Sequence, residues 1–270
     1  MRSLKEISMD NKIVETIESL GLSCKAVEAA RLVIEDDEIQ AIQDYSNTVS
    51  IKRLGYNDHG PVHMRTVAYN AVVMMGLLRN AKIQTSLETE DCGCFEDSLV
   101  AVILAGFLHD IGMSLGRQNH EMHSAYMAYP LLDRILTQIY TDVQRRVMVR
   151  SLALEGIAGH MGNRQVYSLE AGVVLIADGC DMTKGRARIP MHLLSAPKVG
   201  DIHKYSANSI EEVKLSPGQE RPIRIVVEMS SEVGLFQVEE VLLGKIAASP
   251  AKGYVELYAM VQEHESKRYL

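Results

Sequence analysis

Between residues 97 and 112 the chain reads DSLVAVILAGFLHDIG, and from Leu99 to Leu108 it is apolar almost all round. A helix that is hydrophobic on every side is buried on every side, so other elements must pack around it. That requirement points to a mainly helical domain built about this one segment. The run ends in His109 and Asp110. A carboxylate at the end of a buried helix is costly unless it is paired or binds a metal, and imidazole is the commonest side-chain metal ligand. Neighbouring residues on a helix point about 100° apart, so His109 and Asp110 can meet at one ion only where the helix stops. The Ile111-Gly112 that follows allows it to stop there.

The other apolar material suits such a bundle. Hydrophobic residues make up 47% of the 270, but there is no Trp and only 5% are aromatic, so Leu, Ile, Val, Ala and Met must form the core. The fourteen methionines recur in apolar runs and read as part of it. A formal net charge of -7 argues against a protein that grips long nucleic acid by its overall field. Four cysteines fit a reducing compartment. Cys24 and Cys180 are isolated, and Cys92-Gly93-Cys94 lies in a polar segment with no second pair to complete a metal site. The N-terminus MRSLKEISMD is too charged for a signal peptide, and no apolar stretch approaches the roughly 18 to 20 residues that span a bilayer. The expectation is a cytoplasmic protein with no membrane partner.

Along the chain, Ile13, Val14, Ile17 and Leu20, then Val27, Ala30 and Val33, recur at helical spacing on either side of Gly21 and predict two helices. NDHGP at 57–61 is a helix start with Pro61 in the first turn and His63 just inside. Residues 80–97 are polar and unpatterned and read as a loop. Helical segments continue through HSAYMAYPLLDRILTQIY, DVQRRVMVRSLALEGIAGHMG and SLEAGVVLIADGCDM. After about residue 200 the pattern changes. VKLSPG and RPIRIVVEM read as strands joined at a Pro-Gly turn, LFQVEEVLLGKIAAS as an amphipathic helix, and GYVELYAMVQ as a last strand. The expected organisation is a helical domain over 1–200 and a small β-β-α-β unit over 201–270.

Further imidazoles and carboxylates stand at helix starts and ends: His63, His120, His123, His160, Asp178 and Asp181. His63, then His109-Asp110 in LHDIG, then Asp178 in IADGCD, resemble the H…HD…D pattern of the HD-domain superfamily of metal-dependent phosphohydrolases. His123 in HEMHSAYMA and His160 in IAGHMG are similar to the two extra histidines of its binuclear members. The likeness covers about residues 55–235, includes DMTKGRARIP and SANSIEEV, and is nearest to the ribonuclease Y-type HD domain and its prokaryotic relatives. It implies an HD helical bundle in which His63, His109, Asp110 and Asp178 hold one divalent ion (Mn, Fe, Co, Ni, Zn or Mg). Asp110 would also bridge to a second ion on His123 and His160. By the same resemblance a metal-activated water is the nucleophile and no side-chain nucleophile is needed.

This chain departs from many members in one respect: Met113 and Ser114 follow Gly112 where a lysine often stands. The phosphate contact is therefore sought in Lys184, Arg186 and Arg188, the dense basic cluster after Asp181, with a solvated loop or partners for Asp178 and Asp181 as the alternative. His120 is a candidate proton donor or ligand, or else a surface residue. His59 reads as a turn residue or a member of the site rim, and Asp181 as a residue that orients a histidine or pairs with an arginine. Arg65 and Arg117 read as surface or ion-pair residues, with substrate phosphate as the alternative. His192, His203 and His264 fall outside the pattern.

The expected function is hydrolysis of a phosphomonoester or phosphodiester in a phosphorylated small molecule or nucleotide, with Asp110 and His120 catalytic. Alternatives are a metal-loaded nucleotide sensor without turnover and di-iron oxidative chemistry on the same ligands. The C-terminal unit is a candidate for homo-oligomer contact.

Overall fold

The computed structural model describes residues 2–183, 202–261 and 266–270. The N-terminal part is helical: α1 (Leu4–Ser19), α2 (Lys25–Glu35), α3 (Asp37–Thr48), α4 (Pro61–Asn80), α5 (Ser86–Thr89), α6 (Phe95–Leu108), α7 (His120–Ile139), α8 (Val143–Gly159) and α9 (Leu169–Cys180). Three helices stand where the periodicity predicted two. Asp36 adopts an extended conformation and caps α3 by accepting from the Ile39 amide, so a new helix starts directly where α2 stops. The segment expected to be only loop holds the short α5. Its start is a capping box, Thr85 with Glu88, which is visible in the sequence as T-x-x-E.

Every residue of α6 is buried, as its composition requires. Helix α4 crosses it closely because position 106 is glycine: a Cβ there would lie 2.7 Å from the Ala68 Cα. The helical stretch Phe95–Ser114 has the length and hydropathy of a membrane span, contrary to the sequence expectation, but all of it lies inside the protein. A surface role for Arg65 is also corrected. Its guanidinium is buried and donates to Asp10 (2.7 Å), Gln43 (3.1 Å) and Gln40 (3.0 Å), tying α4 to α1 and α3.

After residue 201 come α10 (Ile202–Ser209), β1 (Ile210–Pro217), β2 (Ile223–Met229), a helical stretch over 235–248 labelled α11, β3 (Val255–Val261) and β4 (Lys267–Arg268). Strands β1 and β2 form an antiparallel hairpin, β2 and β3 run parallel with α11 as the crossover, and β4 pairs antiparallel with β3. The β-β-α-β order is as expected, and β4, only two residues long, adds an edge. On β2, Ile223, Ile225, Val227 and Met229 alternate inward. The core does not stop at residue 200. One apolar cluster runs from Val173 and Ile176 of α9 to Leu242 of α11 and to Ile223 and Val255 of the sheet. Glycines let α11 and the turn after it lie close on α9: a Cβ at Gly179 would sit 3.1 Å from Leu242, and one at Gly172 would sit 2.9 Å from Pro250.

Candidate metal centre

Five helix ends meet beside the C-terminus of α6. His63 lies in the first turn of α4, His109 at the C-cap of α6, His120 at the first position of α7, His160 at the C-cap of α8, and Asp178 in the last turn of α9. Asp110 follows His109 with φ -108° and ψ 6°, already off the helix. The expected stop thus lets adjacent residues face one point. All six side chains are buried.

The hydrogen bonds of the rings decide what this cluster can do. Nδ1 of His109 lies 2.9 Å from the Gly106 carbonyl, Nδ1 of His160 lies 2.7 Å from Ile157 O, and Nδ1 of His120 lies 3.0 Å from Arg117 O. A carbonyl oxygen only accepts, so each of these nitrogens carries the hydrogen. The partner is three residues back each time. At the ends of α6 and α8 it belongs to the last turn, whose carbonyls have no helical donor. His63 donates from Nδ1 to Asp181 Oδ2 at 2.6 Å.

Burial pushes the His160 pKa down to about 4, so this ring is neutral at physiological pH. In a neutral ring with Nδ1 protonated, Nε2 is a bare lone pair. Arg117 Nη1 does donate to His120 Nε2, at 3.3 Å. Nevertheless, the Nε2 atoms of His63 and His109 face each other at 3.0 Å, and those of His120 and His160 at 3.2 Å.

Asp110 lies between the two pairs. Its Oδ2 is 3.1 and 3.4 Å from Nε2 of His63 and His109, and its Oδ1 is 3.1 and 3.3 Å from Nε2 of His120 and His160. Oδ1 is buried without a hydrogen-bond partner despite these close nitrogens. Asp178 Oδ1 stands 3.3 Å from His63 Nε2. Burial alone would raise both carboxyls, but the imidazoles around Asp110 and the Lys245 ammonium beside Asp178 outweigh it and hold both well below the usual range. Facing ring nitrogens and an ionised carboxylate whose Oδ1 has no hydrogen bond make a donor set that a cation would complete. The mixed nitrogen and oxygen donors fit a divalent transition metal. Three overlapping groups bring their donor atoms within 4.8 Å of one another: His63–His109–Asp110, His109–His160–Asp178 and Asp110–His120–His160.

The structure thus brings together His63, His109, Asp110, His160 and Asp178. It brings His120 to the place the sequence resemblance assigned to His123. The turn after Asp110 docks on the first turn of α7: Gly112 N donates to Ser124 Oγ at 2.8 Å, and a Cβ on Gly112 would meet the His120 carbonyl and the His123 Cβ. That docking leaves His120 on the cluster side, while His123 is half-buried with its Nδ1 unbonded. His59 hydrogen-bonds Ser50 and the Asn57 carbonyl and stands edge-on to His63 on the rim. Lys184, Arg186 and Arg188 lie outside the described residues.

A cavity of about 140 Å³ opens onto the cluster, with Arg117, Gln237 and Lys245 in its wall. Lys245 escaped the sequence reading. Its Nζ is paired with Asp178 Oδ2 and donates to the His160 carbonyl at 2.8 Å. No local signal marks it, since it sits in an ordinary amphipathic helix 67 residues beyond Asp178.

A helical bundle whose helix ends gather four imidazoles and two carboxylates at one buried point is a metal-binding protein. The chain belongs to the HD domain family, which it matches over residues 62–183, from one residue before His63 to two beyond Asp181. It is 41% identical over 233 residues to the uncharacterized protein MJ1020 of Methanocaldococcus jannaschii, an alignment covering 86% of this chain and 88% of that one. No solved structure matches.

Asp181 orients a ring rather than facing the centre. Asp181→Asn, which weakens the hold on His63 Nδ1, is expected to lower metal affinity roughly 10- to 100-fold in a protein that still folds. Calorimetric titration of the chelator-treated protein with Mn²⁺ measures this, and wild-type affinity in the variant refutes it.

Proposed function

We propose that this protein is a metal-dependent phosphohydrolase that cleaves a phosphomonoester or phosphodiester in a small, nucleotide-like substrate. The observation that carries the reading is the placement of Asp110, with one oxygen toward the Nε2 atoms of His63 and His109 and the other toward those of His120 and His160. This arrangement suits one ion on each side of a shared carboxylate. When bound, such ions supply an activated water near neutral pH and compensate charge on the phosphoryl oxygens. The chain's own contribution is a set of rings held by their Nδ1 bonds before any ligand arrives, and a buried centre in which bulk water competes little.

Charge supports the same reading. Asp110, Asp178 and Asp181 bring three carboxylates to the buried centre, a donor set whose charge a divalent cation complements. The net charge of -7 favours a small substrate over long nucleic acid.

The test is elemental analysis of protein purified without chelator, followed by turnover of p-nitrophenyl phosphate, its bis ester and nucleotides. The expected result is one or two equivalents of metal, with turnover abolished by chelation and restored by metal. Tight nucleotide binding with no product would establish a sensor instead. Absence of bound metal even after reconstitution sinks both.

A further inference from the structure

A phosphoryl group held at this centre would gain a charge-assisted hydrogen bond from a cationic side chain, and among the described residues the cavity wall carries two, Arg117 and Lys245. They differ in placement. Arg117 stands beside His120 on one side of Asp110. The Lys245 ammonium touches both sides, through Asp178 of the first donor set and the carbonyl of His160 of the second. Whatever spans the two sets lies next to it.

An ammonium has three N–H bonds, and these two contacts account for two of them. The side chain lines the cavity. Its position is built by the fold. Val238, Leu242 and Ile246 turn one face of α11 into the core, and Val241 and Lys245, one turn apart on the neighbouring face, line the cavity. Gly179, immediately after Asp178, keeps α9 bare where the lysine stem passes; a Cβ there would lie 3.1 Å from the Lys245 Cδ.

We propose that Lys245 is a substrate-binding residue of the centre, donating its third N–H to a phosphoryl oxygen, so that the C-terminal unit completes the site formed by the helical domain. This rests on the phosphohydrolase reading above. It also accounts for Met113 and Ser114 directly after Gly112: the cation absent from that turn arrives from α11.

The full-length protein, loaded with Mn²⁺, is titrated calorimetrically with inorganic phosphate, and its metal content is measured in parallel. Lys245→Met is expected to weaken phosphate binding roughly ten- to a hundredfold, as the loss of one charge-assisted hydrogen bond implies, with metal stoichiometry unchanged. Lys245→Arg is expected to keep most of the affinity. Lys245→Gln, which preserves a donor to Asp178 but removes the charge, serves if the Met variant folds poorly, and the same weakening is expected of it.

Unchanged phosphate affinity in the uncharged variants, in a wild type that cleaves phosphoesters, overturns this proposal alone. Loss of metal in step with loss of phosphate also overturns it, by making Lys245 a residue that positions the metal donors. A fully loaded wild type that neither binds phosphate nor cleaves any ester removes the phosphohydrolase reading and this inference with it.

Discussion

Asp110→Ala is expected to abolish metal-dependent turnover and to weaken metal binding by more than a hundredfold while leaving a folded protein. Asp110 offers one oxygen to the His63–His109 pair and the other to the His120–His160 pair. Its removal therefore takes a ligand from both at once, a larger loss than the roughly 10- to 100-fold that follows from disturbing a supporting contact. The fold should survive because little in it depends on this carboxylate. Oδ1 has no hydrogen bond to lose, and the turn after Asp110 is held by other contacts, among them Gly112 N to Ser124 Oγ. Thermal denaturation of the metal-free protein should still show a cooperative transition, lowered only by the attraction lost between the ionised carboxylate and the imidazoles around it. A variant that retains full metal content and turnover would remove Asp110 from the centre.

Gly112→Ala should disturb the centre without touching any donor. A Cβ at this position would lie 2.2 Å from the His120 carbonyl oxygen and 2.5 Å from the Ser124 amide nitrogen, both backbone atoms that cannot swing aside. The start of α7 must shift, and His120 moves with it. Overpacking of this kind costs about 1–3 kcal/mol, which in a chain of this size lowers the melting temperature by several degrees. Metal affinity should fall in the same variant. Gly244→Ala is the control: it lies exposed on α11, a Cβ there meets nothing within 4 Å, and it should be neutral or slightly stabilising. Equal melting temperatures for the two variants would show that the turn after Asp110 is looser than described.

The buried helix at 97–112 and the order of His63, His109-Asp110 and Asp178 were legible because each rests on local pattern: an all-apolar run, a helix stop, and residues in a fixed order. The alternating positions of β2 were legible for the same reason. Distinguishing His120 from His123 was not. They are three residues apart on one helical face, and what separates them is the close approach of Gly112, a contact between segments that spacing does not encode. Lys245 was hidden for a stronger reason. It reaches the centre only because a parallel β2–β3 pairing returns α11 across α9, and no short stretch of sequence announces which residue such a crossover will deliver. The third N-terminal helix and α5 are different: their capping residues, Asp36 and the Thr85–Glu88 pair, stand in plain view.

The facing nitrogens have a thermodynamic corollary. Because the folded chain fixes four imidazoles and two carboxylates around one point, its native state offers a cation a site that the unfolded chain has no means of gathering. Folding and metal supply then become a single linked equilibrium. Above the dissociation constant, each tenfold rise in free metal adds about 1.4 kcal/mol to the native state. The lifetime of the protein in a cell would thus track how much metal that cell leaves free.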